Sequence, residues 1–182
     1  MIEVVTVATE PHGGFQLFAD SCATHGIQPH VIEQGSEWRG FAWRFKAVIR
    51  YLRTLQSEFV LHSDCFDAIA LAPLEVAQAK FDALGHPWVF SWQPDLLGRP
   101  EPFLNLCAGL WMGRREYILD TITDAWMDEI FPDHFNDEFQ LQLMLALSPG
   151  LFALDAGSTL FYSSPDLNPV VGPAWMHCIV QG

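Results

Sequence analysis

The chain has 182 residues, with 22 Asp and Glu against 9 Lys and Arg, a formal net charge of −13 and a sequence pI near 4.7. Half of the residues are hydrophobic and 17% are charged, which excludes a disordered chain and a coiled coil. No run approaches the roughly 18 apolar residues of a membrane span, and the acidity argues against a general nucleic-acid coat, whose binding rests on many Lys and Arg contacts to phosphate.

MIEVVTVATEP lacks the basic start of a signal peptide, so the expected location is cytoplasmic and no membrane partner is expected. Ile2 to Ala8, rich in β-branched residues, predicts a buried strand that ends at Thr9-Glu10-Pro11. His12-Gly13-Gly14 is a turn, and Phe15, Phe18, Ala19 and Cys22 follow helical spacing up to Gly26. Pro29 to Ile32 reads as a second strand, and 33–40 as a loop containing Trp38 and Gly40. From Phe41 to Gln56 an amphipathic helix places Phe45, Val48, Ile49 and Leu52 on one face and Lys46, Arg50 and Arg53 on another. With Arg39 and Arg44, this segment holds five of the nine basic residues. Phe59 to His62 is a third strand and runs into Ser63-Asp64-Cys65-Phe66-Asp67.

Downstream, the pattern predicts a helix over 73–84, a strand over 88–91, a loop over 94–102, a strand over 104–112, helices over 114–129 and 137–147, and strands over 151–155 and 158–162. The tail, with Pro165, Pro169, Gly172 and Pro173, reads as irregular up to His177. Strands alternating with helices predict an α/β fold, one domain over 1–182, with a mainly parallel central sheet flanked by helices. Cys22, Cys65, Cys107 and Cys178 form no CxxC pair and lie in apolar contexts, so buried free thiols are expected.

Asp64 and Asp67 stand three apart just beyond an apolar strand, where open α/β sheets build their sites. Two carboxylates converging there suit a hard divalent cation, Mn2+ or Mg2+, that also takes phosphate oxygens from a substrate. The same pair also fits a turn cap and a solvated acid.

A series of motifs runs along the chain: Thr6-Val7-Ala8-Thr9, then Trp38, Gly40 and Lys46, then Asp64-Cys65-Phe66-Asp67. Leu106 to Gly113 follows, Asn136-Asp137-Glu138 precedes Gln140-Leu141, and Leu154-Asp155, Leu160-Phe161 and a closing His177 complete the series. This order resembles the glycosyltransferase domain of the procollagen lysyl hydroxylase and procollagen galactosyltransferase group, a GT-A type, Rossmann-like fold, in which Leu106 to Gly113 matches an LNSGxxxG strand loosely. The resemblance implies a hexosyltransferase. In it, Asp64, Asp67 and His177 hold the metal, and Lys46 neutralises the diphosphate of a UDP-sugar donor. Thr9, Phe66 and Gly109 line the donor, and Asp137 and Glu138 face the sugar or the acceptor hydroxyl. The acceptor classes are a hydroxylated protein side chain, a hydroxymethylated pyrimidine in DNA and a saccharide.

The chain departs from the family at two motifs. Cys107 stands where the family has Asn, with Asn105 two residues early, and only His177 and Gly182 match the closing HGNG. These departures support a second class, a non-catalytic nucleotide-sugar or metal-binding domain. A phosphohydrolase would need an early DxD nucleophile pair, which the sequence lacks.

Overall fold

The computed structural model describes residues 1–93, 105–164 and 172–178, with His177 and Cys178 described by backbone alone. The expected loop over 94–102, the tail over 165–171 and the stretch after Cys178 lie outside these residues. The elements run β1 (Ile2–Val7), α1 (Phe15–Thr24), β2 (His30–Ile32), α2 (Phe41–Leu52), β3 (Phe59–Ser63) and β4 (Ala68–Ala70). They continue α3 (Leu74–Leu84), β5 (Trp88–Trp92), β6 (Leu106–Arg114), α4 (Arg115–Thr121), α5 (Asp124–Ile130) and α6 (Asp137–Leu147), then β7 (Ala153–Asp155), β8 (Phe161–Ser164) and β9 (Trp175–Cys178).

Six strands form the main sheet in the order β2-β1-β3-β6-β5-β7. β1 pairs in parallel with β2 and β3, and β5 with β7, whereas β6 runs antiparallel to both β3 and β5. The sheet is therefore mainly parallel, with β6 reversed. Its inner strands β1, β3, β6 and β5 are largely buried on both faces, which is why they read as continuous apolar runs. Val5, Val60, Trp88, Phe90 and Trp111 enter a core with Trp43, Phe45 and Val48 of α2 and Leu141 of α6. Their neighbours Val4, Leu61, Val89 and Met112 enter a second core with Phe18 of α1 and Phe81 of α3. Successive strand residues thus feed opposite sides, the period-2 geometry of a pleated strand.

A three-stranded sheet, β4-β9-β8, forms the second layer. The sequence pattern showed neither β4 nor β9: both are short, and their register is set by each other rather than by their own composition. β9 places His177 opposite Ala68 on one side and Ser163 on the other. The Trp175 indole N–H donates to Ser63 Oγ over 2.9 Å, and Ser91 Oγ meets Ser163 Oγ at 2.9 Å, so side chains stitch the two sheets together.

Two differences from the sequence reading have local causes. The helix expected over 114–129 is two helices, because the Thr123 hydroxyl accepts the Trp126 N–H at 3.3 Å and caps a new start at α5. The strand expected over 158–162 begins only at Phe161. Asp155, 1% exposed, accepts the N–H groups of Thr159, Leu160 and Phe161 and holds the preceding residues as a turn. Gly40, the N-cap of α2, has φ +114° and an ideal Cβ position 2.6 Å from the Asp133 carbonyl oxygen, so both backbone angle and space require glycine.

Candidate functional site

Parallel β1 and β3 deliver their carboxyl ends side by side, and the antiparallel β6 brings its amino-terminal half to the same edge. Thr9, Asp64, Phe66, Asp67 and Gly109 therefore gather where the topology of an open sheet leaves a crevice. A cavity of about 380 Å3 opens there, lined by Val7, Thr9, His12, Trp38, Phe41, Arg44, Asp64, Phe66 and Asp67. That size falls in the range of small-molecule sites. A smaller hollow of about 130 Å3 adjoins it, lined by Gln93, Cys107, Gly109, Asn136, Asp137 and Glu138. Phe41, Arg44 and Asp64 border both.

Asp64 is fixed by its backbone. Its N–H donates to the Gly109 carbonyl over 2.7 Å, one residue beyond the β3–β6 ladder. Between β5 and β6 the register jumps, with Phe90 opposite Trp111 and Ser91 opposite Cys107, so Ala108, Gly109 and Leu110 form an irregularity in β6. Such a bulge re-aims backbone groups beside a site. Gly109 thus supports Asp64 through its carbonyl while lining the smaller hollow.

The Arg44 guanidinium is the centre of the arrangement. Nη1 donates to Asp64, and Nη2 donates to Asp137 Oδ2 at 2.8 Å. The side chains are 8%, 21% and 4% exposed for Arg44, Asp64 and Asp137. Burial opposes the charge on Arg44, but Asp137 and Asp64 outweigh it and hold the guanidinium above its usual pKa. Its Nε is buried and donates to no described residue. His62, beneath the site and 4.0 Å from Asp64, is pushed down to about 4 by burial and by the Arg44 charge. It is neutral near pH 7, with Nδ1–H donating to the Val5 carbonyl at 3.1 Å. Burial pushes the Cys65 thiol up to about 11, and the thiol donates to the Val7 carbonyl, so it is unreactive near neutrality.

Asp137 sits in the first turn of α6, where Asn136 caps by accepting the Phe139 N–H at 3.1 Å. Glu138 accepts from Gln93 at 3.0 Å and from Gln142 at 3.4 Å. Phe66 lines the larger cavity, and His12 stacks on it with centroids 4.3 Å apart and planes 9° apart. This stack depends on Gly14, where any Cβ would collide with the Phe66 carbonyl oxygen.

Lys46 is placed elsewhere. It pairs with Asp133 and borders neither hollow, because two residues along a helix turn it away from Arg44. Arg53 pairs with Asp124 at 2.7 Å. Lys46 and Arg53 of the basic face read from the sequence are thus engaged by acids, and among the described residues the cation that borders the cavity is Arg44. Its signal was present: Arg44, Val48 and Leu52 share helical spacing, so a charge stood on an apolar face and needed a buried partner. Gln93 and His12 gave no comparable sign.

No group of three His, Cys, Asp or Glu side chains among the described residues has metal-holding geometry. The donor chemistry still suits a hard cation: Asp64 and Asp67 line one cavity, and the β4–β9 register puts the His177 backbone opposite the residue after Asp67. No helix among the described residues is long and apolar enough to cross a membrane.

No family model matches the chain. The chain is 27% identical over 136 residues to procollagen-lysine,2-oxoglutarate 5-dioxygenase 2 of Mus musculus, which covers 63% of this chain and 18% of that protein. The chain thus spans less than a fifth of that relative's length. Among solved structures, an active-site mutant of LgtC aligns with TM-score 0.63 and 15% identity over 100% of this chain and 88% of that one. LgtC is described as a galactosyltransferase in its complex with donor and acceptor sugar analogues. Glucosyl-3-phosphoglycerate synthase from Mycobacterium tuberculosis, solved with Mn2+, UDP and phosphoglyceric acid, aligns with TM-score 0.54 and 20% identity over 84% and 67% of the two chains. The chain has the GT-A, Rossmann-like fold of these glycosyltransferases and resembles the glycosyltransferase domain of the procollagen lysyl hydroxylase group.

Proposed function

We propose that residues 1–182 form a single glycosyltransferase-like domain that moves a hexose from a UDP-sugar to an acceptor hydroxyl, with Mn2+ or Mg2+. One observation carries the reading. Asp64 and Asp67 line a cavity of donor size that adjoins the hollow holding Asp137 and Glu138, within a GT-A fold. The Mn2+ and UDP bound in the mycobacterial relative support the donor assignment.

In this reading Asp64, Asp67 and His177 hold the cation. A bound divalent ion supplies charge neutralisation for the leaving diphosphate. Thr9 and Phe66 line the uridine, with His12 already on the Phe66 ring. Arg44, rather than Lys46, borders the cavity that would take the phosphates. Asp137 or Glu138 takes the acceptor proton or steadies the electron-poor sugar, and both lie across Arg44 and Asp64 from the donor cavity. Among acceptors, a protein or saccharide hydroxyl is favoured over a DNA base. Lys46 and Arg53 are paired with acids and Arg44 is buried, so of the five basic residues of this segment Arg39 and Arg50 remain exposed, a small basic surface for a polyanion.

The test is UDP release from UDP-glucose and UDP-galactose, with and without Mn2+. Mn2+-dependent release that vanishes in Asp64→Ala and Asp67→Ala is expected. Binding of UDP without turnover of any nucleotide sugar would instead favour a non-catalytic binding domain. Metal dependence that survives both substitutions would overturn the site.

A further inference from the structure

The ion triad has one cation and two acids, and one of those acids is the proposed metal ligand. The Arg44 guanidinium bonds Asp64 with one arm and Asp137, which is only 4% exposed, with the other. A guanidinium and a divalent cation compete for one carboxylate, and each is disfavoured beside the other's charge. The diphosphate of a donor changes that balance, because it offers the guanidinium a second anion. Arg44 borders the donor cavity and has an Nε–H that no described residue accepts.

We propose that Arg44 orders binding at this site: with the donor absent it occupies Asp64 and suppresses cation binding, and it yields Asp64 when a nucleoside diphosphate arrives to take the guanidinium. The inference rests on the glycosyltransferase reading. Its consequence is that the free protein holds Mn2+ weakly and acquires the metal together with the nucleotide. A planar fork that spans two carboxylates is what allows this exchange, since Arg44 stays anchored on Asp137 as it swings from Asp64 to phosphate. A lysine ammonium carries its donors on one nitrogen and lacks this two-armed planar fork.

The experiment measures Mn2+ binding to the full chain, by the electron-paramagnetic-resonance signal of free Mn2+, with and without UDP. Arg44→Met is expected to bind Mn2+ alone about tenfold more tightly than the unmodified protein, and to bind UDP more weakly at saturating Mn2+, a coupling within the usual range for linked sites. Arg44→Lys keeps the charge but loses the planar fork, and is also expected to tighten Mn2+ alone. If Arg44→Met does not fold, Arg44→Lys, shown to be folded by circular dichroism, decides the case through its Mn2+ binding. Unchanged or weaker Mn2+ binding in Arg44→Lys, with UDP still bound, overturns the ordering role and leaves the glycosyltransferase reading standing. If the unmodified protein binds neither Mn2+ nor UDP, both fall together.

Discussion

Asp155 is the most exacting place to test the structural logic. Its carboxylate accepts three backbone N–H groups, from Thr159 at 2.9 Å on Oδ1 and from Leu160 and Phe161 at 2.7 and 2.8 Å on Oδ2. Asp155→Ala removes all three and leaves the two donors of buried Leu160 and Phe161 without their acceptor. Hydrogen bonds to a charged group contribute about 1.5–3 kcal/mol each, and bonds sharing one acceptor group add incompletely, so the loss should be about 4 kcal/mol. Asp155→Asn separates the effects. An amide oxygen at the Oδ2 position keeps the Leu160 and Phe161 bonds, while the NH2 faces the Thr159 N–H, so this variant should lose about half as much. Urea unfolding followed by tryptophan fluorescence reads both, with the m-value unchanged as the sign that only stability moved. Equal losses in the two variants, or a loss under 1 kcal/mol in Asp155→Ala, would show that the turn before β8 is held by something other than this carboxylate.

Gly14→Ala should destabilise the fold by about 2 kcal/mol and weaken UDP binding, because the His12–Gly14 turn must lift off the Phe66 carbonyl and unstack His12; the same urea and UDP titrations check it. Lys46→Met should leave UDP affinity at saturating Mn2+ within about twofold, since Lys46 is committed to Asp133 and mutant affinities translate directly into binding free energy; a large loss would return the diphosphate to Lys46. His62 has a folded pKa near 4 against 6.5 in the unfolded chain, so between those values the unfolded state binds more protons. Its contribution is present above pH 6.5 and drains away as pH falls toward 4, by about 3 kcal/mol in all. In EDTA, the stability difference between the unmodified protein and His62→Asn should shrink across that window. Parallel curves would refute the assignment.

The parts of the fold legible in the sequence were those whose signal is local. The apolar runs of β1, β3, β5 and β6 and the periodicity of α2 are set by burial within each segment, and Asp64 and Asp67 stood out because a strand stops just before them. Elements fixed by a distant partner were not legible. β4 and β9 exist through their mutual register with β8, and β8 starts late because Asp155 claims the backbone ahead of it. The candidate site divides in the same way. Asp64 and Asp67 were visible as a pair just after a strand, whereas Asp137 and Glu138 were singled out by the order of the family's motifs. That Arg44 borders the cavity and Lys46 does not was not legible, because it turns on whether Asp133 or Asp137 lies opposite each side chain, and nothing short of the packing of α2 against the 133–137 segment decides that.

That packing has a mechanical consequence. Gly40 abuts the Asp133 carbonyl, the Ala42 N–H donates to the Phe135 carbonyl at 3.2 Å, Lys46 is tied to Asp133, and Arg44 is tied to Asp137. α2 is thus riveted at four points to the stretch that leads into α6. The cavity wall that includes Phe41 and Arg44 is thereby fixed to the acid-bearing start of α6. Under the proposed function, the span between the donor diphosphate and the acids of α6 would be set by the single helix α2, and a sugar donor would be gauged against it like a part between the faces of a caliper.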